Sequence, residues 1–397
     1  MSDFSTILKK LREEKNLKQI DVANGSNITV RTYQYYESGK QEPNVSRLKK
    51  LAIFFDVSMD YLVGLTNNPT PYEKMTSNSG LGKAIKHQMK ALESANVEYT
   101  TNLKDDYDII HINFYGPRSY HLAKKAHRKG KKVVYHAHST EEDFRSGFIF
   151  CKQLAPLFKR WLIKCYSLGD VIVTPTPYSK RLLEGYGIKK KIYAISNGIE
   201  LEKFKCDKSL RKTFRKRYNL KEEDKVIIGI GLYIERKGIV DFVELAKRLP
   251  EYKFIWFGYS PLSAATKDVR EAVNTKLDNL HFAGYVEQNL IIEAMNGCDL
   301  YIFPTYEETE GIPIIEACAC KTTAIIRDIP IFEEMLEDGK NVYKAKTVDE
   351  FEEKIRGVIT GKLKRVGESA YKVAEERDIK KVGEQLKKVY EDVLKLK

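Results

Sequence analysis

Two carboxylates eight positions apart, Glu308 and Glu316, bracket the run TEGIPII, which follows the apolar run Leu300–Phe303 and a short loop. A carboxylate oxygen accepts strongly from a hydroxyl. An acid in the loop can therefore hold sugar hydroxyls while one on the helix holds a ribose, and the helix start between them can receive a diphosphate. As bare spacing the pair would equally describe acids on an exposed helix. A second cluster, Gly229-Ile-Gly231-Leu-Tyr-Ile-Glu-Arg236-Lys237-Gly238, ends a strand-like run with adjacent cations, which would offset a leaving diphosphate. A third, Val133-Val-Tyr-His136-Ala-His138-Ser139-Thr140, sets two imidazoles at a strand end, where they could hydrogen-bond a transferring sugar; a lone strand-end histidine is usually structural. A fourth, Ser79-Gly80-Leu81-Gly82, reads as a glycine turn before a helix at 83–92, a weak signal by itself. No compelling Asp-x-Asp metal site is present.

These residues need strands and helices to hold them. Apolar runs recur at 108–113, 132–136, 170–174, 191–195, 226–231, 253–257, 280–282, 300–303 and 323–326. Most are apolar throughout, as strands buried on both faces must be. Helix-like runs at 178–184, 238–248 and 290–298 alternate with them, which predicts α/β architecture with parallel sheets. The runs fall into two sets, before and after about residue 205. Two doubly wound sheets would face a shared cleft with their strand ends.

Residues 1–66 are different. Phe4, Ile7, Leu8 and Leu11 share one helix face. A short helix follows at 17–23. Gly25 and Asn27 can take left-handed turns. Thr29 is an N-cap for a third helix ending at Ser38-Gly39, and two more helices run over 46–55 and 58–63. Two short helices about a tight turn, within five, make a helix-turn-helix. The segment Asn67-Asn68-Pro69-Thr70-Pro71 reads as a linker.

The 397 residues carry a net charge of 68 − 55 = +13, which suits an anionic partner without choosing one. The start MSDFSTILKKLREEK has charges where a signal peptide needs an apolar core, and no apolar stretch is long enough to span a bilayer. The expectation is a protein neither secreted nor integral to a membrane. Its six scattered cysteines read as reduced, buried thiols, with Cys318 and Cys320 in the core rather than on a metal.

The first part resembles the Cro/C1-type repressor family through LKQIDVA, ITVRTYQYYESGKQEPN and VSMDYLVG. The resemblance implies a recognition helix at 29–36 in the major groove, with Gln19, Thr29, Val30, Arg31 and Tyr35 on the DNA face and Lys40 near phosphate. Arg31 is the candidate to read guanine. Ten basic and eight acidic side chains over 1–66 make a weak field for a DNA binder, so a purely structural appendage is the plain alternative. Such modules usually dimerise, so a homodimer is possible.

The remainder resembles glycosyltransferase family 4, a GT-B fold of two Rossmann-like doubly wound domains, through EETEGIPIIEA, GLYIERKGI and SNGIELEKF. It is most similar to Gram-positive enzymes that add a second sugar to glucosyldiacylglycerol for the lipoteichoic acid anchor, through SGLGKAIKHQMKAL, YDIIHINFYGPRS, HAHSTEEDF and FIWFG. The boundaries expected are a helix-turn-helix domain at 1–66, a linker at 67–76, an acceptor and membrane-side domain at 77–204, a nucleotide-sugar domain at 205–375, and a C-terminal helix at 376–397 packing back on the acceptor domain. The resemblance implies a retaining transferase moving glucose or galactose from UDP-glucose or UDP-galactose to a glycolipid, without a bound metal or other cofactor. Catalytic roles fall to His138 and Glu308. Donor-binding roles fall to Glu316, Lys237, Arg236, Gly311, Ile312 and Gly82, and acceptor-side roles to Asn113, Tyr115, Arg118 and His136.

Two departures stand out. Leu232 occupies the place where many family members carry Arg, so Arg236 must supply the second cation. The family's first strand is replaced by 69–78, which is polar with two prolines. That departure favours a second reading, a transcriptional regulator whose GT-B half senses a nucleotide sugar or glycolipid without turnover; a third is a fusion of independent parts. Cations at 118–132, and Lys159, Arg160 and Lys164 among Leu157, Phe158, Trp161 and Leu162, suit docking on an anionic membrane at the inner face of the cell membrane, with a solvated face over a packed core as the alternative. The basic run 203–217 reads as a third such surface or a domain edge.

Overall fold

The computed structural model describes residues 4–64, 80–145, 147 and 150–396. The chain divides into two compact units, 1–82 and 83–397.

In the first unit, Phe4, Ile7, Leu8 and Leu11 of the helix Phe4–Glu14 meet Val22, Tyr33, Tyr36, Leu51 and Phe55 in one core. The helices Gln19–Gly25, Val30–Glu37, Val45–Phe55 and Met59–Leu62 complete the five. Thr29, Asn44 and Ser58 cap the last three, each accepting from a backbone N–H three residues on, a contribution of about 1 kcal/mol apiece. The Arg12 guanidinium donates to the Glu37 carboxylate at 3.0 Å, and Gln19 donates to the same group at 3.1 Å. Asn27 is left-handed as expected, with φ 53°. Gly25 is not: it ends its helix, and it must be glycine because a Cβ there would lie 2.0 Å from the Phe54 ring.

The second unit holds two all-parallel sheets. Four strands, β1 (Ile109–Ile112), β2 (Lys132–His136), β3 (Val171–Thr174) and β4 (Lys191–Ala194), pair in the order β1-β2-β3-β4. Six more, β5 (Val226–Ile230), β6 (Lys253–Phe257), β7 (Leu280–Gly284), β8 (Leu300–Phe303), β9 (Ala324–Arg327) and β10 (Tyr343–Ala345), pair in the order β10-β9-β8-β5-β6-β7. The uninterrupted apolar runs are explained by burial on both faces. Val226, Ile228, Tyr301 and Phe303 enter one core while Ile227, Leu300 and Ile302 enter the other. In the first sheet Val133, Tyr135 and Ile172 face one core, and Val134, Val171 and Val173 face another. That second core is closed by Val382, Leu386, Val389 and Val393 of the helix Ile379–Leu394.

Three expectations change. The proposed glycine turn at 80–82 is helical: Gly80 and Gly82 lie in the first turn of the helix Gly80–Ser94. The three-residue strand β10 is too short to show a period in the sequence. Cys206 is exposed, whereas the other five free thiols are buried. The stretch 69–78, read as a lost first strand, and the linker 67–76 lie outside the described residues.

Candidate functional site

The chemistry-bearing residues of the second unit gather at the C-terminal ends of three strands. After β8, the loop 304–311 carries Glu308, and the helix Ile312–Ala319 begins at Gly311, whose φ is 82°. Glu316 lies within that helix and is fully buried. After β5, the turn Glu235–Lys237 carries Arg236 and Lys237. Gly238 ends this turn with φ 71°, and a Cβ there would sit 2.2 Å from the Pro304 carbonyl oxygen. The absent side chain thus lets the cation turn lie against the carboxylate loop.

The two pieces meet through charge. Lys237 Nζ pairs with Glu308 Oε1, which also accepts from the Thr305 hydroxyl at 3.0 Å. Arg236 Nη1 lies 3.8 Å from Glu308 Oε2. Burial alone would raise the Glu308 pKa, but Lys237 and Arg236 outweigh it and hold the carboxyl below its ordinary range. Burial likewise pulls the Lys237 ammonium down. Arg236 is more committed than expected. It donates to the Glu307 carbonyl at 2.8 Å and pairs at 2.6 Å with Asp143, which belongs to the segment following the histidines.

The neighbouring Glu307 is pushed up to about 7, first by burial and then by Asp143, Glu142 and Glu308, and its Oε1 has no partner. Glu316 Oε1 pairs with Lys83 Nζ at 3.0 Å, while its Oε2 is buried without a partner. Glu310 joins the two sheets: its buried carboxylate accepts from the Ser196 hydroxyl, the Asn197 backbone N–H at 3.1 Å and the Asn197 amide at 2.6 Å.

At the end of β2 the chemistry is neutral. The rings of His136 and His138 stack with centroids 3.9 Å apart. His138 Nε2 lies 2.9 Å from Asn113 Oδ1, so its N–H donates there. His136 Nδ1 lies 3.2 Å from His111 Nε2, and His111 Nδ1 lies 2.6 Å from the Tyr390 hydroxyl. Burial lowers His111 and His138 to about 3 and His136 well below its ordinary value. These rings are uncharged at neutral pH and present hydrogen-bonding groups.

Of the residues expected on the acceptor side, the structure brings Asn113 and His136 against His138, the expected catalytic residue. Tyr115 is half-buried with its ring edge-on to Phe158 at 5.0 Å, and Arg118 is exposed on the helix Pro117–Arg128. Gly311 and Ile312 form the start of the Glu316 helix. Gly82 lies in the helix that also carries Lys83. Sequence reading missed Lys83, Asp143, Glu307, Glu310 and His111. The acids of the runs STEED and EETE were visible but had no assigned partner, and Lys83 lies 233 positions from Glu316. Among the described residues no group of three or more His, Cys, Asp and Glu could hold a metal ion.

In the first unit, Arg31, Gln34 and Lys40 are exposed, and Arg31 Nε donates to the Tyr35 hydroxyl at 3.0 Å. Two expected DNA contacts are otherwise engaged. The Thr29 hydroxyl caps its helix, and Val30 packs against the core. Gln34, not anticipated, shares the exposed face and donates to Gln19 at 3.3 Å.

The basic surfaces also sort themselves. In the run 203–217, Arg211 pairs with Asp299 at 3.0 Å, Arg217 with Glu293 at 2.9 Å, and Arg215 donates to the carbonyls of Glu222 and Asp224, so these cations serve the fold. In the helix Cys151–Tyr166, Phe158, Trp161 and Leu162 pack inward, contrary to a fully interleaved face. Phe114, Phe150, Leu154 and Leu157 are the exposed apolar side chains there, 49–68% accessible. No helix among the described residues is long and apolar enough to cross a membrane.

Comparison with known proteins agrees with this layout. Residues 86–203 match Glycosyltransferase Family 4, residues 211–373 match Glycosyl transferases group 1, and residues 8–62 match a Helix-turn-helix family. The chain is 40% identical over 326 residues to the processive diacylglycerol alpha-glucosyltransferase of Acholeplasma laidlawii, covering 82% of this chain and 97% of that one. It is 26% identical to the alpha-galactosylglucosyldiacylglycerol synthase of Streptococcus pneumoniae, covering 60% of this chain and 65% of that one. Its fold resembles Anabaena HepE solved with UDP-glucose, at TM-score 0.63 and 18% identity, over 78% of this chain and 82% of that one.

Proposed function

The chain belongs to the family 4 glycosyltransferases and carries a helix-turn-helix domain, and from that premise we propose that it transfers glucose, or alternatively galactose, from a UDP-sugar to a membrane glycolipid such as α-glucosyldiacylglycerol with retention of configuration. The observation that carries this reading is the buried carboxylate pair. Glu308 is charge-compensated by Lys237 in the loop, and Glu316 keeps one unpartnered oxygen on the following helix. An unpartnered carboxylate oxygen in a buried site is a strong acceptor for a hydroxyl.

In this reading Glu308 accepts from the hydroxyls of the donor hexose and Glu316 from the ribose. In this reading Lys237 turns from Glu308 to the β-phosphate and stabilises the charge that develops as the glycosidic bond to UDP breaks. The acceptor hydroxyl attacks from the face that UDP leaves, and its proton passes to the departing phosphate oxygen. The neutral His138, fixed by Asn113, orients the hexose by hydrogen bonding. The diacylglycerol in the name of the 40% identical relative supports a lipid acceptor. The exposed Phe114, Phe150, Leu154 and Leu157, and Lys124 and Lys164 over the Tyr120 ring, support docking on an anionic membrane surface. Flotation with phosphatidylglycerol vesicles should weaken on replacing Leu154 and Leu157 by Ser; binding indifferent to both anionic lipid and these changes would exclude this face.

A second reading rests on the helix-turn-helix unit and its exposed Arg31: donor binding is read out on operator DNA instead of by turnover. Incubating the full chain with UDP-glucose or UDP-galactose and glucosyldiacylglycerol vesicles separates the two. A sugar-extended lipid supports the transferase; donor binding without product, together with DNA binding that shifts with UDP-sugar, supports the sensor.

A further inference from the structure

Glu316 is 0% exposed, yet its charge is met from the opposite lobe. Lys83, on the helix Gly80–Ser94 that packs with the first sheet, reaches its Oε1 at 3.0 Å with one fifth of its own side chain exposed. The lysine is not a loose surface group that happens to fall there. One turn further along, the buried His87 donates from Nδ1 to the Gly198 carbonyl at 2.7 Å. Beyond that, Ala91 and Leu92 sit in the core shared with the C-terminal helix. The helix carrying Lys83 is thus fixed by hydrogen bonding and packing before the ion pair is made.

The division of labour on Glu316 is specific. One carboxylate oxygen is occupied by Lys83, while the other, Oε2, is buried and has no partner. A buried acceptor left open costs about 1–3 kcal/mol. A ligand hydroxyl that fills it recovers that cost, and a ligand lacking the hydroxyl does not.

Building on the donor reading above, we infer that Lys83 is a positioning residue for nucleotide recognition: by holding Oε1 across the cleft it fixes the Glu316 carboxylate with Oε2 aimed at the ribose hydroxyls, and so sets the preference for a ribonucleotide donor. The lysine acts through Glu316 and makes this selectivity depend on the two lobes being together. A donor bound to the second lobe alone would meet a carboxylate with neither its partner nor its orientation.

The test uses the full chain and calorimetry with UDP and with a dideoxy analogue lacking both ribose hydroxyls. The wild type should prefer UDP by about tenfold or more, the range for hydrogen bonds to a charged group. Lys83→Met should weaken UDP by a similar factor and bring the two ligands within about twofold, whereas Lys83→Arg should restore most of the preference. Because Lys83→Met leaves a buried charge unpaired, the same change is also made on Glu316→Gln, where it should add less than twofold if Lys83 works through that carboxylate. Retention of the ribose preference by Lys83→Met, or a full additional loss on the Glu316→Gln background, overturns the inference while the donor reading stands. Failure of the wild type to bind UDP overturns the donor reading and this one with it.

Discussion

The two strand-end clusters of the catalytic unit face similar tasks with opposite chemistry. At the end of β2, three histidines, His136 buried and His111 and His138 half-buried, have no countercharge and are neutral, each ring tied to a neighbour or to Asn113 or Tyr390. At the ends of β5 and β8, burial is as deep, but Glu308, Lys237 and Arg236, joined by Asp143 from the segment after β2, keep one another in place by charge. A group that can lose its charge cheaply does so on burial, whereas a set of opposite charges stays ionised by pairing. The neutral cluster suits recognition of sugar hydroxyls. The charged cluster suits a substrate that carries a diphosphate and releases it.

The comparison breaks most visibly at Glu308. Glu308→Ala should lower sugar transfer by about a hundredfold or more, with the far-ultraviolet circular dichroism unchanged. Unchanged turnover would remove Glu308 from the site. Lys237→Met leaves Glu308 and Asp143 with Arg236 alone, and breaking a buried pair of this kind costs about 3–5 kcal/mol, to be read in denaturant unfolding. A loss below about 1 kcal/mol, the level of a surface pair, would mean that water compensates the cluster.

The pH dependence of stability should differ in sign between the clusters. His111 and His138 sit near 3 in the folded state against an ordinary 6.5, so the unfolded chain takes up protons first as pH falls. Their contribution is present above pH 6.5 and is lost progressively toward pH 3. His111→Gln should flatten that acid limb in a thermal-melting series. Glu307, raised from 4.5 to about 7, does the reverse: its contribution is present below pH 4.5 and is lost as pH rises through 7. Glu307→Gln should raise the melting temperature at pH 8 by about 1–2 °C, as expected for a change near 1 kcal/mol in a chain of this size, and leave it unchanged at pH 4. An equal shift at both pH values would point to packing rather than charge.

Much of this was legible before the fold was known, for identifiable reasons. The uninterrupted runs Val226–Ile230 and Leu300–Phe303 had to be strands buried on both faces, and Thr29 had to cap a helix. The Glu308–Glu316 spacing and the cations at 236 and 237 are local features, so their types announced their chemistry. What stayed hidden depends on long-range pairing. Lys83 has no meaning until its helix packs opposite Glu316. Asp143 carried no assignment until Arg236 came within 2.6 Å. Glu310, between two assigned acids, looked redundant but is the hydrogen-bonded tie to Ser196 and Asn197. The left-handed reading of Gly25 failed because the constraint there is a neighbouring ring, Phe54, which no local pattern reveals.

The account turns on the charged cluster gripping a uridine-linked hexose for transfer. The most direct measurement follows radiolabelled glucose from UDP-glucose into lipid, using the full chain and vesicles containing glucosyldiacylglycerol, with Glu308→Ala alongside. The account predicts a labelled glycolipid bearing one more α-linked hexose, formed by the wild type and absent from the variant. No labelled lipid from the wild type with either UDP-glucose or UDP-galactose, or equal labelling by both proteins, would contradict it.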